Sequence, residues 1–139
     1  MSHKQTLLNK LATRQAHIGV IGVGYTGLPL GIAFTDVGLQ VTMIDIDRRK
    51  VEMLNRGVSY IEDVPSADVS AALTTGKLAA SFDYAALQDA DAVIICVPTP
   101  LQDDKDPDMS YVIQAVRDVA KIASAGMLVV LQSTAYPGT

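Results

Sequence analysis

Residues 20–30 read VIGVGYTGLPL, in which Gly22, Gly24 and Gly27 carry the spacing Gly-x-Gly-x-x-Gly. Glycine inside a helix or strand costs roughly 0.5–1 kcal/mol relative to alanine. Three at one junction therefore mean that the backbone turns sharply, or that something must come very close to it. A strand handing over to a helix meets both conditions, because the first N–H groups of a helix lack intrahelical partners and its positive dipole end attracts phosphate. In that setting Gly22 permits the turn, Gly24 lets a pyrophosphate reach bare backbone, and Gly27 lets the helix pack close to the strand. The N–H groups around Tyr25 and Thr26 then face phosphate oxygens.

The glycine spacing alone is a weak signal, and a carboxylate strengthens it. Asp45 ends the apolar run LQVTMID, 18 residues beyond Gly27. An acidic side chain there accepts both hydroxyls of an adenosine ribose and repels a 2′-phosphate, which points to NAD rather than NADP. Asp47 is placed to cap the helix that follows. Arg48, Arg49 and Lys50 form a basic first turn, either solvated or with one member reaching back to the pyrophosphate.

Two hydroxyl clusters also follow apolar runs: Pro98-Thr99-Pro100 after VIICV, and Ser133-Thr134 after MLVVLQ. Either the prolines stop strands and the hydroxyls cap helices, or both clusters face a ligand at one sheet edge. Their convergence on the edge that carries the glycine turn favours a site. Cys96 sits inside the most apolar run and reads as a structural thiol. His3 and His17 fall in the N-terminal tail and at the start of the first strand, away from that edge, and no residue pair has metal-ligand spacing.

The elements that must hold these residues alternate in kind. Leu7, Leu8 and Leu11 recur at helical spacing in an N-terminal helical extension, residues 1–15. From His17, HIGVIGV reads as a strand. PLGIAFTDVG reads as a helix, with Leu30, Phe34 and Val37 on one face, Pro29 in its first turn and Gly38 as its C-terminal cap. LQVTMID is a strand, and DRRKVEMLNRG a helix closed by Gly57. After the loop VSYIEDVPS come a short helix through Leu73, the strand KLAASF, and the brief helix YAALQ capped by Asp83. DAVIICV is continuously apolar, as a strand covered on both faces must be. Ile113, Val116 and Val119 define one face of a further helix, and MLVVLQ is the fifth strand. The order β-α-β-α-β-α-β-α-β predicts an α/β fold with a doubly wound, mostly parallel sheet, a Rossmann fold, as a single domain over residues 16–139. Right-handed crossovers then bring all strand C-termini to one edge, where ligands bind.

Length and composition agree with this. The 139 residues suffice for one domain, and 49% hydrophobic with 19% charged residues is globular usage. A formal net charge of −4 supplies no global positive field for nucleic acid or an anionic membrane, so neither is an expected partner and any phosphate is held locally. The single cysteine allows no internal disulfide and fits a reducing, cytoplasmic setting. Apolar runs such as VIICV are far shorter than the ~20 residues of a membrane span. MSHKQTLLNKLATRQ lacks the apolar centre of a secretion signal.

Five segments occur in order: GVGYTGLPL, IDIDRRKV, LNRGVSYIEDV, VIICVPTPL with PDMSYV, and VLQSTAYPGT. Together, over residues 17–139, they resemble the N-terminal domain of the nucleotide-sugar 6-dehydrogenases, the UDP-glucose/GDP-mannose dehydrogenase family. SYIED and CVPTP are most similar to the branch acting on UDP-N-acetylhexosamines, UDP-N-acetylglucosamine 6-dehydrogenases in particular; UDP-glucose dehydrogenases and UDP-N-acetylmannosamine dehydrogenases are the alternatives. The resemblance implies that the backbone around Gly24, Tyr25 and Thr26 binds the pyrophosphate of NAD, Asp45 its adenosine ribose, and that Lys50 assists nearby. It further implies that Val97, Pro98 and Thr99 belong to the cofactor site, with Thr99 against the nicotinamide half. Thr134 would lie close to the reacting carbon as an auxiliary catalytic residue, orienting a water or the developing oxyanion. Gln132 stands where relatives of this branch often carry glutamate.

The family reaction oxidises a C6 alcohol to a uronate through an aldehyde and a cysteine thioester, reducing two NAD. The cysteine nucleophile and the substrate domain come from sequence beyond Thr139, and Cys96 does not match that cysteine. The chain therefore reads as the cofactor domain of a truncated enzyme, whose complete form is expected to be a homo-oligomer acting on a UDP-sugar. Two other readings are a stand-alone NAD-sensing module, which the chain length allows, and an S-adenosylmethionine methyltransferase. The methyltransferase pattern usually sets an acidic residue just ahead of a Gly-x-Gly-x-Gly run, whereas Ile21 precedes Gly22 here.

Overall fold

Aliphatic residues alternating along short extended runs build the centre of the molecule, a sheet of five parallel strands. In the computed structural model, which describes residues 1–135 and 139, these are β1 (His17–Ile21), β2 (Gln40–Ile44), β3 (Leu78–Ser81), β4 (Ala92–Ile95) and β5 (Leu128–Leu131). Their spatial order is β3-β2-β1-β4-β5. Helices α1 (His3–Ala12), α2 (Gly27–Asp36), α3 (Arg48–Asn55), α4 (Ser66–Thr74) and α5 (Ser110–Ile122), with a 3₁₀ turn at Tyr84–Leu87, make the connections. Tyr136, Pro137 and Gly138, part of the motif that ends the resemblance, lie outside the described residues.

Ile18, Val20, Val41 and Met43 point to one side of the sheet, where Leu28 and Ile32 of α2, Leu54 of α3 and Val69 of α4 cover them. Their neighbours Ile21, Ile44, Val93 and Ile95 point to the other, against Leu87, Ala115 and Val119. Each such side chain contributes about 1.5–3 kcal/mol when fully buried, and the two layers make the sheet doubly wound. Ile21 pairs in register with both Ile44 and Ile95, so β1, β2 and β4 end level and their outgoing loops share one edge.

The expected caps form. Asp47 accepts the Arg49 N–H (3.0 Å) and Asp83 that of Ala85 (2.9 Å), while Gly38 (φ +90°) and Gly57 (φ +76°) close α2 and α3. At the opposite edge, Asp91 accepts the Lys10 ammonium (2.7 Å) and the His17 N–H (2.8 Å), fastening α1 to the start of β1.

Two helix faces differ from the sequence expectation. On α5 the buried residues are Val112, Ala115 and Val119, while Ile113 and Val116 are 47% and 48% exposed. At about 100° per residue, steps of three and four keep 112, 115 and 119 on one stripe, whereas two steps of three carry 119 well away from 113. On α2, Leu28, Ile32 and Thr35 face the core, Leu30 and Phe34 are half-buried, and Val37 lies past the helix end, exposed. Both triplets satisfy the same i, i+4, i+7 spacing, so periodicity could not choose between them. β5 lies at the sheet edge with Leu128, Val129 and Leu131 exposed.

Candidate functional site

The glycine turn separates into two requirements of the protein and one that the protein does not explain. Gly22 has φ +90°, and a Cβ there would lie 2.7 Å from the Cys96 carbonyl oxygen. A Cβ on Gly27 would lie 1.8 Å from the Gly22 carbonyl oxygen, so no side chain fits between helix and turn. A Cβ on Gly24 meets nothing within 4 Å. The bare backbone at Gly24 faces open space, which is the shape a closely approaching pyrophosphate needs. Thr26, at the N-cap of α2, makes no side-chain cap hydrogen bond, and Gly24, Tyr25 and Thr26 all line the cleft above.

Asp45, the first residue after β2, is half-buried and tied to that turn. Its Oδ2 accepts the Val23 N–H (3.0 Å) and its Oδ1 the Asp47 N–H (2.9 Å). A carboxylate has about four acceptor positions, so each oxygen keeps capacity for a hydroxyl from the cleft. Of the three basic residues, Lys50 lines the cleft, with its ammonium 5.6 Å from the centre of the Tyr60 ring. Arg48 turns away and stacks 4.3 Å from the Phe82 ring centre.

The facing wall comes from the loops after β4 and β5. Val97, Pro98, Thr99, Gln132, Ser133 and Thr134 all line the cleft. Ser133 neither caps a helix nor points only at solvent: its hydroxyl donates to the Val97 carbonyl (2.7 Å), and its N–H to that of Ile95 (3.1 Å), stitching the two loops together. Cys96 lies under the glycine turn, and burial raises its thiol pKa, which disfavours the thiolate.

The structure thus brings Gly22, Gly24, Tyr25, Thr26, Asp45, Lys50, Val97, Pro98, Thr99 and Thr134 around one cleft of about 580 Å³, with Gly27 buried beneath it. Sequence reasoning missed Ile46, 75% exposed at the lip, and a polar strip of α5, where Gln114 donates to Asp118 (3.2 Å) four residues on. That spacing looks the same on a solvated helix face, so only packing reveals it. Tyr84 also lines the cleft, its phenol pKa pushed up to about 12, mainly by burial, with Asp118 and Asp45 adding to the effect. Tyr60, quoted within SYIED but given no role of its own by the sequence, donates its hydroxyl to the Val23 carbonyl (2.5 Å). Among the described residues no cluster of His, Cys, Asp or Glu could hold a metal, and no helix is long and apolar enough to cross a membrane.

A glycine open to the cleft beside a strand-end carboxylate fits a dinucleotide, and the comparison with known families gives the same answer for the whole chain. The NAD binding domain of the UDP-glucose/GDP-mannose dehydrogenase family matches residues 16–139. The chain belongs to this family. NAD is the cofactor of the domain. Among family relatives, the UDP-N-acetyl-D-mannosamine dehydrogenase of Escherichia coli K12 is 42% identical over 125 residues, 89% of this chain and 29% of that protein. The structure of the Pyrococcus horikoshii UDP-D-ManNAc dehydrogenase superposes with a TM-score of 0.83 at 39% identity, over 88% of this chain and 29% of that one. The NDP-N-acetyl-D-galactosaminuronic acid dehydrogenase of Methanosarcina mazei superposes with a TM-score of 0.86 at 35% identity, over all of this chain and 31% of that one. The chain therefore spans less than a third of the length of these family members.

Proposed function

We propose that this chain is the NAD-binding domain of a 6-dehydrogenase that oxidises a UDP-N-acetylhexosamine to the corresponding uronate. The observation that carries the reading is the pairing of Gly24, open to the cleft, with Asp45, whose carboxylate both braces the turn and keeps acceptor capacity on the cleft side. The N–H groups of Gly24, Tyr25 and Thr26 bind the pyrophosphate, and Lys50 offsets its charge. Asp45 accepts the ribose hydroxyls and repels a 2′-phosphate. Val97, Pro98 and Thr99 flank the nicotinamide half, and Thr134 orients a water or the developing oxyanion. Bound NAD supplies the hydride acceptor, twice per sugar. The nucleophilic cysteine lies outside this chain, so the domain by itself binds cofactor without turning over.

SYIED and CVPTP favour the UDP-N-acetylglucosamine branch, whereas relatives at 40–42% identity are named for the mannosamine epimer. UDP-N-acetylmannosamine is accordingly the first substrate to try, ahead of its gluco epimer and UDP-glucose. Residues 1–15 form an extension to a domain spanning 16–139, a division supported by the start of the family match at residue 16. The full-length protein works in the cytoplasm as a homo-oligomer, a reading supported by the family resemblance and, for this domain, by its single cysteine.

The chain contains no tryptophan, so nicotinamide fluorescence can be followed without that background. Titration with NADH and NADPH is expected to show binding of both with clear preference for NADH. No binding of either would sink the reading. For the sugar, full-length protein is assayed with the three UDP-sugars, and two NADH are expected per sugar oxidised. Turnover of UDP-glucose alone would remove the N-acetylhexosamine part.

A further inference from the structure

The backbone of Val23 is held on both sides. Its N–H donates to Asp45 Oδ2 (3.0 Å), and its carbonyl accepts the hydroxyl of Tyr60 (2.5 Å), a residue 37 positions away in the loop between α3 and α4. Val23 itself is 1% exposed, so its side chain anchors the same residue in the core. The Val23 carbonyl shares a peptide plane with the Gly24 N–H, so holding it sets the direction of that N–H at the start of the turn.

The loop carrying Tyr60 is built to hold it. Ile61 and Val64 are buried, and Tyr60 packs against the same core cluster. The Ser59 hydroxyl accepts the Ile61 N–H (3.1 Å), and the Ser59 N–H donates to Ser66 Oγ (2.9 Å) at the start of α4. Burial, with the nearby carboxylates of Asp45 and Asp47, raises the Tyr60 phenol pKa far above its ordinary value, so the hydroxyl stays a donor well into the alkaline range. Lys50 lies over the ring of this same tyrosine and lines the cleft.

We infer that Tyr60 is a positioning residue for pyrophosphate recognition: its hydroxyl holds the Val23 carbonyl while Asp45 holds the Val23 N–H, so that the Gly24–Thr26 backbone is preorganised for the phosphates. The inference rests on the NAD site proposed above. It assigns the α3–α4 loop, which reaches no part of the cleft through Tyr60 itself, to the cofactor's phosphates and not to its adenosine end.

Tyr60→Phe tests it, since phenylalanine keeps the ring under Lys50 and removes only the donor. Losing one hydrogen bond in a preorganised site corresponds to a change of about 3–10-fold. Calorimetry with the 139-residue chain is expected to show NADH and ADP binding weakened by about that factor, with adenosine changed less than about twofold. A merely structural role would weaken all three ligands together. Equal loss for adenosine, or unchanged binding of NADH and ADP, overturns the inference while wild-type NADH binding leaves the NAD site standing. Wild type that binds no NADH overturns both. A measurement on wild type alone covers the case in which the variant fails to fold. In the wild type the Tyr60 hydroxyl proton, bonded to the Val23 carbonyl, should exchange with water slowly enough to be resolved by NMR, unlike that of the 80% exposed Tyr25, and a hydroxyl exchanging as fast as that of Tyr25 would overturn the clamp.

Discussion

Asp45 and Val23 stand 22 residues apart in the chain and are joined by a 3.0 Å hydrogen bond from the Val23 N–H to Asp45 Oδ2. The carboxylate assigned to the ribose is therefore also a bracket for the phosphate turn. Selectivity between cofactors and the geometry of the turn cannot be changed independently.

Asp45→Ala is expected to act on both. Loss of the acceptors for the Val23 and Asp47 N–H groups costs about 1–3 kcal/mol of folding stability. Loss of the charge removes the preference for NADH over NADPH. Denaturant unfolding and the two cofactor titrations measure these separately, and a variant that still prefers NADH would show that another group reads the 2′ position.

Gly24→Ala and Gly27→Ala should separate ligand space from protein space. Alanine in a helix normally gains up to about 1 kcal/mol over glycine, but at Gly27 the added carbon would sit 1.8 Å from the Gly22 carbonyl. Thermal unfolding should show Gly27→Ala destabilised by about 2 kcal/mol or more. Gly24→Ala, with no protein atom within 4 Å of the new carbon, should unfold close to wild type and bind NADH at least about tenfold more weakly.

Ser133→Ala removes the 2.7 Å hydrogen bond that joins the loops after β4 and β5. A cost of about 0.5–1.5 kcal/mol is expected, together with faster exchange of amides near Val97. Unchanged exchange there would mean that the backbone bonds from Gln132 and Ser133 to Ile95 hold the segment without the hydroxyl.

Alkaline pH should weaken the fold through two tyrosines. Tyr84 is shifted up to about 12, and Tyr60 is shifted upward as well, each mainly by burial. In this range the unfolded chain releases phenolic protons before the folded one does. The contribution is therefore fully present below pH 10 and is lost as pH rises from 10 towards 12. Denaturant unfolding across that window should show a falling stability that Tyr84→Phe makes shallower.

Much of this was legible in local pattern. Alternation of apolar runs with helical spacing specified the strand and helix order, because burial on both faces of a parallel sheet demands continuous apolarity in strands such as AVII at 92–95. The glycine spacing located the turn, and Asp45 could be counted from it. The inward faces of α2 and α5 were less legible: on α2 a stripe from Leu30 has the same spacing as the one from Leu28, and on α5 Ile113 and Val116 are apolar residues that flank the buried stripe. The choice falls to the sheet surface against which each helix packs.

The sequence by itself determined the fold class, the turn, the carboxylate and the family, because each is written in residues close together or at fixed intervals. Only the tertiary structure showed that, of the three glycines, an added Cβ would meet no protein atom within 4 Å at Gly24 alone, as its assigned role requires. It alone set Ser133 between two loops and placed Tyr60 and Asp45 on either side of the Val23 backbone. Those relations join residues 22 to 38 positions apart, where no periodicity links one member to the other and only the crossovers of the sheet bring them within hydrogen-bonding distance.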